Sequence, residues 1–524
     1  MNEHDTAQAS HDADHERDAE YPQGLKLFSI VVAIMLSMFL IALDQGIVAT
    51  AVPKITDRFH SVDDVGWYGS AYLLMTCLQL FYGKLYTVFP LKAVFLASII
   101  LFEAGSLICG LAPSSIVLIV GRVIAGIGGS GVYSGGFILL AQTVPLSKRP
   151  LYAALDSATF GLGSVSGPLL GGVFTDKLSW RWCFYINLPF GVLTAVTVFL
   201  LFKSSKTSDQ DNKDLKAVLA GLDSLGIALL MASLLCLLLA LHWGGLQFSW
   251  GNSRMIVVYI FSAVLFAAFL SVQHWVPAVQ SSLPSEIVRQ RSIAAGCVYY
   301  MGWGGSFMPL VYFLPIWFQA IQGVSAFSSG IRTIPMILAY VVASIGGGVV
   351  VTKVGYYKPL LVASSLLMAV GAGLISTFTK DSGPAQWIGF QVVYGVGLGL
   401  GADLPLVAAQ TVLSRRQIPR ATALLVLFQT LSATVFISVC ESIFVNRLGI
   451  HLQHLLPDFD LQTLTGVGAV DLISKYDTKG DADLLSAYNS ALAETFVVSV
   501  VLASITIIGS LAIENGNVKA GDES

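Results

Sequence analysis

The stretch Gly121–Gly136, GRVIAGIGGSGVYSGG, can be read in two incompatible ways, and the choice decides the fold. Gly126-Ile127-Gly128-Gly129-Ser130-Gly131 is a literal match to G-x-G-x-x-G, the turn that cradles a dinucleotide pyrophosphate. Such a loop needs a strand before it, a helix after it and an acid about 20 residues on. Here the glycines lie inside an apolar run over 116–144, and the next acid is Asp156. Gly128, Gly131 and Gly135 recur three and four apart, the spacing of one helix face, which suits close helix–helix contact in lipid. The stretch therefore reads as a membrane helix with a glycine packing face and a buried charge at Arg122.

The whole chain supports that reading. Of its 524 residues 55% are hydrophobic and 12% charged, and mean hydropathy is +0.74. A soluble chain carries about 25% charged residues, so this one cannot cover itself with a polar surface. The class is an all-α polytopic membrane protein. A net charge of −3 gives no basis for a nucleic-acid partner. Cys77, Cys109, Cys183, Cys236, Cys297 and Cys440 all fall in or beside apolar runs without a C-x-x-C, so they read as small buried hydrophobes. Residues 1–26 form a polar, acidic cytoplasmic tail with scattered His4, His11 and His15, and neither a metal site nor a cofactor is expected.

About 20 apolar residues cross a bilayer. Runs of that size predict helices at 27–51, 65–86, 93–112, 116–144, 151–174 and 183–202. Two follow at 224–243 and 253–275. Six more lie at 294–322, 328–352, 358–378, 386–413, 420–445 and 493–514. The fourteen divide as a six-helix bundle (27–202), a linker with two inserted helices (203–275), bundle helices over 276–445, an external loop (446–492), a last helix (493–514) and a tail (515–524). With the N-terminus and alternate loops inside, 18 of the 29 Lys and Arg lie on that side and ten on the other. Both termini are therefore expected in the cytoplasm.

The chain also repeats itself. Gly83-Lys-Leu-Tyr-Thr87-Val-Phe-Pro90-Leu-Lys92 is echoed in the second half by Gly348-Val-Val-Val-Thr352-Lys-Val-Gly355-Tyr-Tyr-Lys358. Arg122-Val-Ile-Ala-Gly126-Ile-Gly128 is echoed by Gln391-Val-Val-Tyr-Gly395-Val-Gly397, at nearly the same separation. Two independent matches at one spacing predict a duplicated six-helix unit, and duplicated halves around a central site are common among secondary transporters.

In order along the chain, five motifs resemble the major facilitator superfamily, in particular its fourteen-helix drug:proton antiporters and their fungal toxin-efflux branch. Leu43-Asp44-Gln-Gly-Ile47-Val48-Ala-Thr-Ala51-Val-Pro53 is similar to the first-helix motif, departing at Gly46 and Ala49. The Gly83–Lys92 loop is a degraded gating motif, with Thr87, Pro90 and Leu91 replacing its acid, glycine and arginine. Arg122 and Gly126 match the fourth-helix motif, where Ala125 replaces glutamine. Gly161-Leu-Gly163-Ser-Val-Ser-Gly167-Pro168-Leu-Leu-Gly171-Gly172 matches the series associated with antiporters, and Trp180–Gly191 is similar to the lead into the sixth helix. The resemblance implies a fold of 14 transmembrane helices (6+2+6) in two pseudo-symmetric bundles. It implies a proton-coupled antiporter, not an enzyme, that exports hydrophobic or amphipathic drug-like or toxin-like molecules across the plasma membrane as a monomer. A siderophore or nutrient transporter of the same fold, a non-transporting membrane sensor and a vacuolar location are the alternatives.

Charge within a membrane helix costs about 2.5–3.5 kcal/mol on the translocon scale, so buried ions mark function. Asp44, Arg122, Glu103, Asp403 and Glu441 are accordingly the proton-coupling or substrate residues. Gly163, Gly167, Pro168, Gly171 and Gly172 are expected to form a hinge, because proline removes an N–H and glycine permits close approach. Gly83, Thr87, Lys92, Gly348, Thr352 and Gly355 would form gating loops. Asp156 and Asp223 lie near helix starts, where the dipole favours an acid, and read as structural. Tyr299, Tyr300, Trp303, Phe307 and Trp317 line a cavity, face lipid or serve in packing.

Overall fold

A computed structural model describes residues 22–59, 64–202, 223–244, 251–277, 280–415, 417–455 and 482–519. The tail to residue 21 with its three histidines, the linker 203–222 and residues 456–481 of the expected external loop lie outside the described residues.

Helices occupy all fourteen expected stretches. In the first half they are α1 (Gly24–Phe59), α2 (Val65–Thr76), α3 (Gln79–Val88), α4 (Leu91–Leu111), α5 (Ser115–Thr143), α6 (Arg149–Lys177) and α7 (Asn187–Leu201). The hairpin α8 (Ser224–Trp243) and α9 (Ser253–Trp275) follows. The second half holds α10 (Arg291–Gln322), α11 (Ala326–Val354), α12 (Lys358–Ser376), α13 (Pro384–Leu400), α14 (Leu404–Val412), α15 (Ile418–Leu455) and α16 (Ala482–Ala512). Among the described residues, twelve stretches are long and apolar enough to cross a membrane by length and composition. The divided pair α2–α3 and the Gly-, Ser- and Thr-rich α6 fall outside that criterion. α15 and α16 overrun the expected ends, so 446–455 and 482–492 are helical. Glu494, just past the second extension, ties α16 to the first by accepting from Arg447 at 2.8 Å and pairing with His451 at 3.2 Å.

Two stretches are broken, the second for an identifiable reason. α2 gives way to α3 at Cys77–Leu78, and α13 to α14 at Gly401–Asp403. Pro405 has no N–H to give the carbonyl four residues back. Carbonyls freed at this second break are capped from α10: Trp303 Nε1 donates to Leu398 O at 3.1 Å, and the Tyr300 hydroxyl to Ala402 O at 2.9 Å. In lipid such groups must find protein partners.

The glycine face of α5 packs as its spacing predicts. A Cβ on Gly128 would strike the Phe102 and Ser98 backbone of α4, and one on Gly135 would lie 2.8 Å from Phe95. The duplication is visible in these contacts. Gly126 meets Tyr72 and Met75 on α2, and its counterpart Gly395 meets Met336 and Ala339, the matching positions on α11. The inserted α8–α9 hairpin is held by reciprocal bonds in which the Ser233 and Ser262 hydroxyls each donate to the other's carbonyl at 2.9 Å. Asp223 caps α8 as its place at a helix start predicts, accepting from Gly226 N at 3.0 Å.

The start of α1, the described C-terminal segment to residue 519 and the links 88–91, 144–149, 354–358 and 412–418 lie at one end of the bundles, the terminus side. The C-terminal segment is fixed to it. Ile513 and Val518 are fully buried, Val518 N donates to Gly355 O at 3.0 Å, and Lys519 Nζ to Lys353 O at 2.6 Å.

Candidate transport site

Arg122 is buried on α5, and its charge is met from three directions. Its Nη1 donates to Asp44 Oδ2 of α1 at 2.6 Å, its Nε to the Tyr68 carbonyl of α2 at 2.9 Å, and its guanidinium lies 4.3 Å over the Tyr72 ring. The second Asp44 oxygen accepts from Asn187 Nδ2 at 3.2 Å, and Asn187 also reaches Ser106 Oγ on α4 at 3.2 Å. Helices of one half thus converge on one ion pair. Glu103 of α4 adjoins this network, packed against Gly191, and both its carboxyl oxygens are buried without a hydrogen-bond partner. In the second half Gln391 stands where Arg122 does. Its Nε2 donates to Arg332 O at 3.0 Å, the carbonyl that corresponds to that of Tyr68. The repeat kept the backbone contact and lost the charge.

α1 and α6 cross closely. A Cβ on Gly163 would lie 2.8 Å from Ala42 Cβ, one on Gly167 would lie 2.9 Å from Gly46 Cα, and one on Gly171 would lie 2.8 Å from Ile47 O and strike Thr50 Oγ1. Pro168 leaves the Ser164 carbonyl without its helical partner, and that carbonyl faces Gly46, where a Cβ would lie 3.2 Å away. The departure at Gly46 keeps that approach free of a side chain. Gly172 meets nothing within 4 Å and takes no part in the crossing.

Between the halves is a small cavity walled by Gln45, Thr76, Tyr133 and Phe160 from one side and Trp303, Phe307 and Gln429 from the other, among others. Its volume of about 70 Å³ would hold about two water molecules. The Tyr133 hydroxyl donates across it to Gln429 Oε1 at 3.3 Å. Of the aromatics on α10, Trp303 and Phe307 line the cavity. Tyr299, Tyr300 and Trp317 are buried elsewhere, the last donating to Asn489 Oδ1 at 2.8 Å. None of the five faces lipid.

On the terminus side the cavity is shut by two equivalent contacts. A Cβ on Gly83 of α3 would lie 2.5 Å from Ala423 Cβ and 3.2 Å from Pro419 O of α15. One on Gly348 of α11 would lie 2.6 Å from Ala154 Cβ and 2.7 Å from Pro150 O of α6. Each repeat offers its glycine to the same proline–alanine turn of the other half. The rest of the expected gating residues stay within their own half. Thr87 bonds to Lys84 O at 2.7 Å, Lys92 caps the Phe199 carbonyl of α7 at 2.5 Å, and Gly355 takes the left-handed conformation (φ 92°) that ends α11. The Thr352 hydroxyl is buried without a hydrogen-bond partner.

Asp403 stands at the α13–α14 break and crosses to the other half, where Ser157 Oγ donates to its Oδ1 at 2.6 Å. Asp156, next to Ser157, lies in the third turn of α6, beyond the first turn where a helix dipole acts. The helix-start placement of Asp156 is therefore corrected: it is buried between the halves, with its Oδ1 lacking a partner. Its position inside an apolar helix was the signal, obscured because the expected helix began at 151. Glu441 is half-buried on α15 beside Tyr312, one turn beyond the cavity residue Ile437, and is not part of the wall. Asn187, Tyr68 and Tyr72, which complete the Arg122 site, carry no sequence signal as partners; only the packing of α2 on α5, and of α7 on α1 and α4, brings them there.

These features define a polytopic membrane protein of two related helical bundles closed around a cavity, with ionisable groups inside the bundles. Residues 34–437 match the family model described as Major Facilitator Superfamily. An "MFS-type efflux pump MFS1" of Arthroderma benhamiae is 46% identical over 497 residues, covering 95% of this chain and 92% of that protein. "Efflux pump aflT" of Aspergillus parasiticus is 43% identical, covering 95% of this chain and 97% of the relative. Among solved structures, the proton:xylose symporter XylE matches with a TM-score of 0.58 at 15% identity, covering 88% of this chain and 98% of the symporter. The human organic anion transporter MFSD10 matches at 0.57 and 14%, covering 92% and 100%. The chain belongs to the major facilitator superfamily.

Proposed function

We propose that this protein is a proton-driven antiporter that exports hydrophobic or amphipathic toxin-like molecules from the cytoplasm across the plasma membrane. Both termini, and hence the terminus side, face the cytoplasm, and the monomer holds the whole pathway. Export is supported by relatives of 42–46% identity that carry the name efflux pump. The observation that carries proton coupling is the Asp44–Arg122–Asn187 network with Glu103 beside it. Arg122 engages Asp44, which leaves Glu103 as the carboxyl of this site with no counter-charge and no donor. A group of that kind is a natural place to hold a proton, and ions kept inside a bundle mark such relays. The α1–α6 glycine crossing acts as the hinge and the two glycine contacts as the cytoplasmic gate.

Substrate efflux from vesicles reconstituted with the purified protein tests the reading. Export should follow an imposed pH gradient and stop when an ionophore collapses it. Export that persists with the gradient collapsed and no other ion gradient present refutes proton antiport.

A further inference from the structure

We propose that Asp156 and Asp403 together form a proton-binding site enclosed in the contact between the two halves, so that closing the cytoplasmic gate and holding a proton are one event. This rests on the proton-driven reading above and assigns it a second site.

The two acids come from opposite halves, Asp156 from α6 and Asp403 from the α13–α14 break. The Ser157–Asp403 hydrogen bond of 2.6 Å brings Asp403 to the residue next to Asp156 and seats the two acids in one contact. Both side chains are at least nine-tenths buried, and each keeps one oxygen, Asp156 Oδ1 and Asp403 Oδ2, without a hydrogen-bond partner. The titratable groups facing them are Tyr133 of α5, Tyr299 and Tyr300 of α10 and Tyr340 of α11. All four are phenols, and their hydroxyls are engaged elsewhere. Tyr133 bonds to Gln429, Tyr299 to Ser364, Tyr300 to Ala402 O, and Tyr340 to Ser157 O at 3.0 Å. No Lys, Arg or His among the described residues pairs with either acid.

Two ionised carboxylates cannot share such a place. Desolvation of each ion costs several kcal/mol, and like charges in one site exclude each other. A single proton on one carboxyl oxygen removes the repulsion and supplies the donor that the remaining oxygens lack. The same contact carries the gate: Tyr340 and Ser344 of α11 bond to the Ser157 and Ala154 carbonyls of α6 at 3.0 and 3.1 Å, one turn from where Gly348 meets Pro150. Parting the halves admits water, and the proton passes from the carboxyl to that water. The closed conformer therefore carries a proton that the open one gives up to the cytoplasm.

Asp156→Asn and Asp403→Asn test this, because the amide keeps the shape and a donor while removing titration. Two transport readouts are taken in vesicles: export driven by a pH gradient, and gradient-free substrate exchange between about pH 5.5 and 8.5. Wild type should show gradient-driven export and a pH-dependent exchange rate. Each Asn variant should lose gradient-driven export and show an exchange rate that depends less on pH than the wild type's, with only the Glu103 site left to titrate, and Asp403→Glu should keep the wild-type pH dependence. Infrared difference spectra of the wild type in detergent give a measurement independent of the variants' activity. A protonated-carboxyl band that is missing from the spectra of both Asn variants should be present in the wild type at neutral pH and vanish on alkalinisation together with opening of the cytoplasmic side. Coupled export and an unchanged pH profile in both folded Asn variants, or no such band in the wild type, overturns the proposal and leaves the antiport reading intact. A wild type without any response to the pH gradient refutes the antiport reading instead.

Discussion

Gly348→Ala should open the protein on its cytoplasmic side. The added Cβ would lie 2.6 Å from Ala154 Cβ and 2.7 Å from Pro150 O, both on the rigid first turns of α6. Carbon atoms prefer a separation of about 3.5–4.0 Å, so α11 and α6 must part by about an ångström. Overpacking of this kind costs about 1–3 kcal/mol. The cost falls on the closed arrangement alone, because the two helices separate when the halves part. A bias of that size changes the closed-to-open ratio by a factor of about 5 to 150. Gly83→Ala meets Ala423 in the equivalent contact at 2.5 Å and should act alike. The assay is the distance between spin labels on the exposed Lys148 and Pro359, one in each half, with the six native cysteines replaced. Combining Gly83→Ala with Ala423→Gly removes the colliding methyl, leaves only a 3.2 Å approach to Pro419 O and should return the distance distribution to that of the parent; the helix cost of the new glycine applies to both arrangements and cancels. An unchanged distribution in the folded Gly348→Ala protein, or failure of Ala423→Gly to reverse the change made by Gly83→Ala, would refute the reasoning.

Three other outcomes follow from the same contacts. Arg122→Ala leaves Asp44 buried without its partner, which should destabilise the first bundle by about 3–5 kcal/mol and abolish gradient-driven export. The double variant with Asp44→Asn should recover thermal stability and leave export absent, and a stable, fully active Arg122→Ala protein would remove Arg122 from the mechanism. Gly171→Ala should impair folding or transport through its collision with α1, whereas Gly172→Ala should be silent in both thermal melting and efflux; equal effects would show that the crossing is not what the series provides. Truncation after Asn517 removes the fully buried Val518 and the Lys519 bond to Lys353. It should cost about 1.5–3 kcal/mol and lower the melting temperature, and an unshifted melt would mean that the C-terminal strap contributes nothing to stability.

The glycine stretch Gly121–Gly136 was legible because a helix face is written at a fixed interval, and steric demand at that face leaves glycine as the residue that fits. The same holds for the duplication. Gly83 and Gly348 recur in sequence because both must let a helix of the opposite half touch backbone. Apolar length located the helices for the same reason, since the bilayer sets it. What the sequence left open depends on contacts that have no period. Asp44 and Arg122 lie on helices far apart in the chain and become partners only where α1 and α5 meet. Gly172 continues a motif that Gly163, Gly167 and Gly171 use, yet it points away from α1. Asp156 looked like a helix-start acid, and it is the meeting of α6 with the broken α13–α14 segment that buries it beside Asp403. Local spacing fixes which residues a helix presents on each face; which other helix that face meets is decided by the packing of two halves distant in sequence, and there the charges found their partners or were left without them.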